Sequence, residues 1–590
     1  MTAQVRKKPA LQSAPPPKAA VRPVAVPRVR ADGAERAGGL GAFLRTLKYL
    51  RPMQVLARLD YRARALYYKS PFYNFIEYEH DVPEDLLIAP PHLWKGNAEL
   101  GEALGKYTFL FLDRPVSMGK AMQWAPQGVS ALWIYNLHYF QWLADLRATG
   151  TDAARATARD MVRDWIEACG NFHPVYWHPY PLSLRLVSWL THADWLLDGA
   201  DGGWRKLFLA SLAKQADHMP KVLEWDVGGN HLIKNIKALI YTSLCLPGRQ
   251  STYLEAVSLL KEQLDLQILP DGAHYELSPH YHADVLEDLL DIHAVMLKAN
   301  QVPPQELDDA IDRMAVALAF YRHPDGALAL FNDGSIGDLK HIDDVLERCG
   351  GAGGKLPRQL PYAGYVRLQK KNFCVLMDTA RCCPDDLPAH AHADTLSFEL
   401  SIGDERVFVN CGTYAYQHEL RNTFRGTAAH NTAVINGENS AEVWSSFRLG
   451  RRPRKVEFSV QEESNTGIGV EAWHDGYAHI GAKHTRRLFL NEEGTDLRGE
   501  DVVSSKVQHP VTVHFHLHPQ VKYTLTGDHS AELVTPRGTK LMFRVKGARL
   551  YDLESLYAPH FGHMEKTRQL VLRGNWENGK CQMLWGVKIK

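Results

Sequence analysis

The hydrophobic period of this chain changes once, at GGAGGKLPRQLP (residues 350–361), and that change does most to limit its fold. Before it, from about Val116 to Glu347, apolar residues recur every three or four positions, as in ARATARDMVRDWIEAC, NHLIKNIKALIYTSLCL and YHADVLEDLLDIHAVMLKA. Loops such as LPGRQ and LPDGA separate these stretches. Helices that follow one another without intervening strands predict an antiparallel (α/α) array or toroid, not a parallel α/β sheet. After the Gly/Pro stretch, from about Tyr362, the runs are short and β-rich: FCVLMDTA, LSFELSI, RVFVNCG, VTVHFHLH, QMLWGVKI. Their spacing predicts an antiparallel β-sandwich. At 590 residues the chain is too long for one core. The expected organisation is a tail over 1–40, an N-terminal extension over 41–115, a toroid over 116–350 and a sandwich over 351–590.

The net charge of +1 argues against a general nucleic-acid or membrane field. It conceals an asymmetry. Residues 1–30 hold seven basic side chains, six prolines and no acid, a composition that predicts a disordered arm or a basic contact with an acidic polymer or lipid head group. Prolines and charges interrupt any secretory apolar segment there, so the cytoplasm is the expected compartment, with the periplasm as the alternative. No apolar run reaches the roughly 20 residues of a membrane span. Eight scattered cysteines without CxxC pairs suit neither a disulfide framework nor a cysteine zinc site.

Two stretches on the helical side offer chemistry. In WDVGGNHLIKNIKALIY, Asn230 and His231 stand at a helix start; Asn230 either caps that helix or presents its amide to a ligand. LPDGAHYELSPHYHADVLEDLL brings His274, Tyr275, Glu276, His280, Tyr281 and His282 together ahead of a helix, where a tyrosine can act as an acid or base if its pKa is tuned. The aromatic run FHPVYWHPYPLSLRL, with Trp177, His178, Tyr180 and Arg185, suits sugar stacking and core packing equally.

On the β side, AHAHADTLSFELSI places His390 and His392 on one strand face, with Asp394 close behind. Such a pair suits a metal if a further ligand arrives from elsewhere, and Asn410 and His430 are the candidates. His514, His516 and His518 in VTVHFHLH read as cleft lining or surface in preference to a second metal site.

Taken together, GGNHLIKNIKAL, DGAHYELSPHYHADVLEDLLDI, AHAHADTLSFELSIGDERVFVNCGTYAY and FRGTAAHNTAVINGENSAEVWSSFRLGRR resemble the heparinase II/III-like polysaccharide lyases, over roughly residues 120–590. WHPYPLSLRLVSW and LWIYNLHYF look like the members encoded beside capsule or exopolysaccharide genes. The resemblance implies an incomplete (α/α) toroid followed by a β-sandwich, and β-elimination next to a uronic acid in an acidic polysaccharide. It implies Asn230 as the carboxylate neutraliser, Tyr281 as the acid/base and His390 as a second proton-handling residue. His231, Glu276, His280, Trp177 and Arg185 would then contact substrate. His392, Asn410 and His430 would hold one divalent metal, zinc being the expected ion. Relatives usually carry Asp where this chain has Asn410, and a neutral amide is a poorer ligand. The alternatives are a glycan-binding scaffold without turnover and a glycosidase. The latter needs two opposed carboxylates, for which only Asp271 and Glu276 offer themselves.

Overall fold

The structure, a computed structural model, describes residues 40–70, 73, 82–119, 121–461 and 464–590. The tail expected over 1–40 therefore lies outside the described residues up to position 39. Residues 131–348 are helical, and apart from one hairpin, Thr108–Phe111 with Arg114–Ser117, the described sheets follow residue 358. The chain is thus a helical toroid followed by an antiparallel β-sandwich.

Local chemistry starts the helices. Thr151, Asp201 and Ser278 each accept the backbone N–H of the residue three further on, a cap worth about 1 kcal/mol. Every residue of the helix Gly229–Cys245 except His231 is buried, because it packs against the helices Pro179–Thr191, Gln250–Gln267 and Pro279–Lys298. It nevertheless carries two lysines. Lys234 Nζ and Lys237 Nζ reach Asp288 at 2.7 and 2.9 Å, and Lys237 also reaches Asp291, so the buried ammonium groups are paired with carboxylates of the helix Pro279–Lys298. These paired charges fix the two helices against each other, and both helices present their N-terminal ends to the site.

Three large antiparallel sheets, with a small hairpin of Val443–Ser445 and Arg448–Leu449, make the second domain. A nine-stranded sheet runs from Val456–Val460 to Lys522–Gly527; a five-stranded one holds Phe373–Asp378 and Phe398–Ile402, buried along their whole length; a four-stranded one holds Val511–His516 and Ala548–His560. Their inner faces share one apolar core that includes Phe398, Phe408, Phe515, Phe543 and Trp585. Polar clamps tie the domains together. Asp271 Oδ2 accepts the N–H groups of Tyr362 and Ala363 at 2.7 and 2.9 Å, and His323 Nε2 meets Glu399 at 2.9 Å. The N-terminal helices Leu40–Leu47 and Pro52–Tyr68 lie across the join: Thr46 bonds Leu449 O, and Gln54 bonds Asp386 O.

Buried neutral histidines make this fold acid-sensitive. His138 accepts Trp165 Nε1–H at Nδ1 and donates from Nε2 to Trp124 O; His282 accepts His274 N–H and donates to Met314 O. Neither ring can take a proton without losing a bond, and burial holds both down to about 3. The unfolded chain binds these protons from about pH 6.5 downward, so stability falls as pH drops below that, by about 1.4 kcal/mol per pH unit for each such ring. Melting curves from pH 7.5 to pH 5 should show a falling midpoint; a flat profile would contradict this reading.

Candidate active site

The two glycines before Asn230 set the first half of the site. Gly228 and Gly229 have φ of 70° and 58°, and a Cβ on Gly229 would stand 2.2 Å from Glu276 Oε1. Only glycine lets the chain turn into the helix so close to that carboxylate. Asn230 then sits inside the first turn and is not the cap, which is Gly228. Its backbone N–H and its amide Nδ2 both donate to Glu276, at 2.7 and 3.0 Å. Nδ2 also stands 3.1 Å from the second Glu276 oxygen, and the two oxygens subtend too small an angle there to take both of its diverging hydrogens in straight bonds. Burial opposes ionisation of Glu276, but His390, His274 and the Asn230 donors outweigh it and hold its carboxyl below the ordinary range.

Tyr281 stands in the first turn of the neighbouring helix, where Ser278 caps its N–H. Its hydroxyl bonds that of Tyr416, and its ring lies 4.0 Å from the His390 ring, centroid to centroid. Burial, then Tyr416 and Asp333, push its phenol well above the usual value, so the resting side chain is a proton donor. His280 flanks the site against Phe561, while the Tyr180 ring lies tilted at 4.2 Å from that of His231, whose Nδ1 meets Glu224 at 2.9 Å.

Asp333 is the hub. Its carboxylate accepts from His390 Nδ1 at 3.1 Å, His392 Nε2 at 2.9 Å, Thr413 Oγ1 at 3.2 Å and both terminal nitrogens of Arg421. Burial would raise its pKa, but the Arg421 guanidinium and the two imidazoles drive it well below the carboxylate range. His390 donates Nδ1–H to Asp333, and its Nε2 stands 3.6 Å from Glu276 Oε2, too far for a bond. His392 carries its hydrogen on Nε2, which leaves the lone pair on Nδ1.

That lone pair faces another. His430 donates Nδ1–H to Gly426 O at 2.8 Å, so the His430 Nε2 that lies 3.1 Å from His392 Nδ1 is also an acceptor. Burial lowers His430 to about 4 and keeps the ring neutral. Beside the pair, Asp394 Oδ1 is buried without a hydrogen-bond partner, its other oxygen accepting Asn332 N–H. Donor atoms of His392, Asp394 and His430 lie within 4.8 Å of one another. Two facing imidazole lone pairs and an orphaned carboxylate oxygen are a set of acceptors without a donor, which is what a divalent cation supplies. The carboxylate of this set is Asp394 and not the side chain at 410. Asn410 Oδ1 already accepts Asn431 N–H at 3.1 Å, and its Nδ2 faces Ser397.

The structure therefore brings together Asn230, His231, Glu276, His280, Tyr281, His390, His392 and His430. It does not place Arg185 or Trp177 there. Arg185 is fully buried among Gln215, His138 O and Tyr176 O under the Trp165 ring, and Trp177 is internal with Nε1 on Cys169 O. Helical packing claimed both. His514 and His516 are likewise inside the sandwich, bonded to Gln569 and Ser555, and do not line the cleft. Asp271 is spent on the linker, so the acid pair that the glycosidase alternative relied on, Asp271 with Glu276, is not available. Sequence reasoning passed over Asp333, Tyr416 and Arg421. The signal for Asp333 was the Asn332-Asp333-Gly334 turn, whose Asn332 adopts φ 55° and bonds both His392 N–H and Leu277 O.

A model of the heparinase II/III N-terminus matches residues 94–348, and one of the heparinase II/III-like C-terminal domain matches 352–586. FtsZ-localized protein C of Caulobacter vibrioides is 28% identical over 461 residues, 74% of this chain and 78% of that protein. A heparin-sulfate lyase of Bacteroides stercoris is 24% identical over 366 residues; the match spans 56% of this chain and about half, 52%, of the lyase. The crystal structure of heparinase III superposes with a TM-score of 0.71 at 17% identity, covering 92% of this chain and 93% of that one, which shows a shared fold.

Proposed function

Because the chain belongs to the heparinase II/III-like family, we propose that it is a polysaccharide lyase that cleaves a uronate-containing glycan by β-elimination. The observation that carries this reading is an imidazole nitrogen not spent on a hydrogen bond, His390 Nε2, beside a protonated phenol, Tyr281, in one buried cluster. Elimination needs both. His390 Nε2 takes the C5 proton, the C5–H electrons become the C4–C5 double bond, and the C4–O4 bond breaks as Tyr281 protonates O4. Tyr416, its ring under the Arg421 guanidinium at 5.0 Å, holds the Tyr281 hydroxyl in place.

Asn230 offers an amide hydrogen to the uronate carboxylate, so that the C5 proton is removed from a partly neutralised acid. Asn230→Ala should lower turnover by about 100-fold, the usual worth of one positioned donor to developing charge. Steady-state kinetics on a cleaved polymer checks this, and an unchanged rate would remove Asn230 from the reaction.

The acceptor set of His392, Asp394 and His430 suits a divalent ion, and its two imidazoles with one carboxylate suit zinc. When bound, such an ion would brace the sandwich beneath the cleft. His392 would then hold Asp333, and through it His390, in position. His392→Ala and Asp394→Asn should each lose the metal in elemental analysis and lower the melting temperature, while Asn410→Ala keeps the metal. Retention of metal by Asp394→Asn would return the carboxylate position to another residue.

A second reading, a glycan-binding or scaffold protein without turnover, has one observation in its favour: a relative matched over 78% of its length is named for its location with FtsZ and not for a reaction. Ultraviolet absorbance of the unsaturated product separates the two, since only elimination creates it.

A further inference from the structure

Ten of the 24 exposed large hydrophobic side chains among the described residues stand in the N-terminal helices Leu40–Leu47 and Pro52–Tyr68. In Pro52–Tyr68 the positions turned to the body are Gln54, Ala57, Tyr61, Ala65 and Tyr68, spaced three or four apart. The opposite half of that helix carries Met53, Leu56, Leu59, Leu66 and Tyr67, with Met53 71% and Leu66 72% exposed. In Leu40–Leu47 the docked residues are Ala42 and Thr46, and Leu40, Phe43, Leu44 and Leu47 point away, Leu40 being 74% exposed. A surface helix normally turns its apolar stripe inward; here the outward stripe is the more apolar one.

Charge singles out the partner. At 3.6 residues per turn, Arg58 and Arg62 border the apolar arc on one side, while on the other Asp60 lies within the arc and pairs with Arg64 at 2.8 Å. Residues 40–69 hold seven basic side chains and one acidic, and residues 1–39 add eight basic and two acidic, whereas residues 70–590 hold 53 basic and 64 acidic. Long aliphatic side chains rimmed by arginine are the chemistry of a helix lying in the interface of an anionic bilayer. A neutral protein groove would not call for the arginine rim, and an acidic protein surface would not call for the leucines.

We propose that the outward faces of Leu40–Leu47 and Pro52–Tyr68 dock on an anionic lipid surface, leucines in the acyl boundary and arginines on lipid phosphates. The helices also bond the sandwich and the Asp386 loop beside the site, so docking would hold the cleft near the membrane.

The test is sedimentation of the full chain with vesicles of phosphatidylcholine alone or of equal parts phosphatidylcholine and phosphatidylglycerol. The wild type should pellet with the anionic vesicles and stay in solution with the neutral ones. The triple variant Leu56→Glu, Leu59→Glu, Leu66→Glu should lose about 100-fold or more in partitioning, and Arg58→Glu with Arg62→Glu on the order of 10-fold. Both should melt as the wild type does, because these side chains are exposed. Wild-type protein that ignores anionic vesicles overturns the proposal. So does a triple variant that still pellets, or one whose only change in light scattering is a dimer turned monomer, which would make the face a contact between copies.

Discussion

Tyr281→Phe should fold and melt like the wild-type protein yet turn over a uronate polymer at about one hundredth to one ten-thousandth of its rate, the usual worth of a positioned proton donor. The ring packs on His390 at 4.0 Å and its backbone N–H is capped by Ser278, and neither contact uses the hydroxyl. What the variant removes is the proton meant for O4, together with the bond to Tyr416. Tyr281 is buried and Tyr416 half-buried, and both phenols lie well above their ordinary pKa, so Tyr416 loses one partner without acquiring a charge. Kinetics and a melting curve on the same preparation decide the matter. A rate within a few fold of wild type would move the acid to another group, with His280 the nearest candidate.

Asp333→Asn should do damage of two kinds. The carboxylate serves His390, His392, Thr413 and Arg421 together, and it is the fully buried partner of a guanidinium whose side chain is itself 2% exposed. An amide has one acceptor and one donor end. One imidazole must then face an N–H and change tautomer. If that ring is His390, its Nε2 becomes protonated and can no longer take a proton from C5. The same carboxylate-to-amide change beside a catalytic histidine lowers turnover by about 10,000-fold elsewhere, and a comparable loss is expected here. Removing the negative charge also leaves Arg421 poorly compensated, which should destabilise the protein by about 3 kcal/mol or more. Activity within tenfold of wild type and an unshifted melting temperature would show that Asp333 is not the residue that organises the site.

The two domains were legible because helical and strand periods are properties of local sequence, and the switch at residues 350–361 is sharp. The histidine and tyrosine motifs were legible for a different reason: His390, His392, Glu276 and Tyr281 lie in dense local clusters whose polarity a core would not tolerate without a purpose. Long-range assembly was not. Nothing within the sequence around Asp333 shows that Arg421, 88 positions away, will meet it. Arg185 and Trp177 misled because an aromatic run with arginine looks the same whether it stacks on sugar or fills a helical core, and only the surrounding helices decide. Asn410 misled by position: the strand delivers it to Asn431, while Asp394, two residues after His392, turns its free oxygen to the histidine pair.

The most direct measurement is the ultraviolet absorbance that appears when the purified full chain is incubated with a panel of uronate polysaccharides, read beside Tyr281→Phe and His390→Ala. The account predicts that at least one polymer yields a C4–C5 unsaturated product with the wild-type chain and almost none with either variant. Shortening of a polymer without that absorbance, or with the absorbance undiminished in both variants, would contradict it.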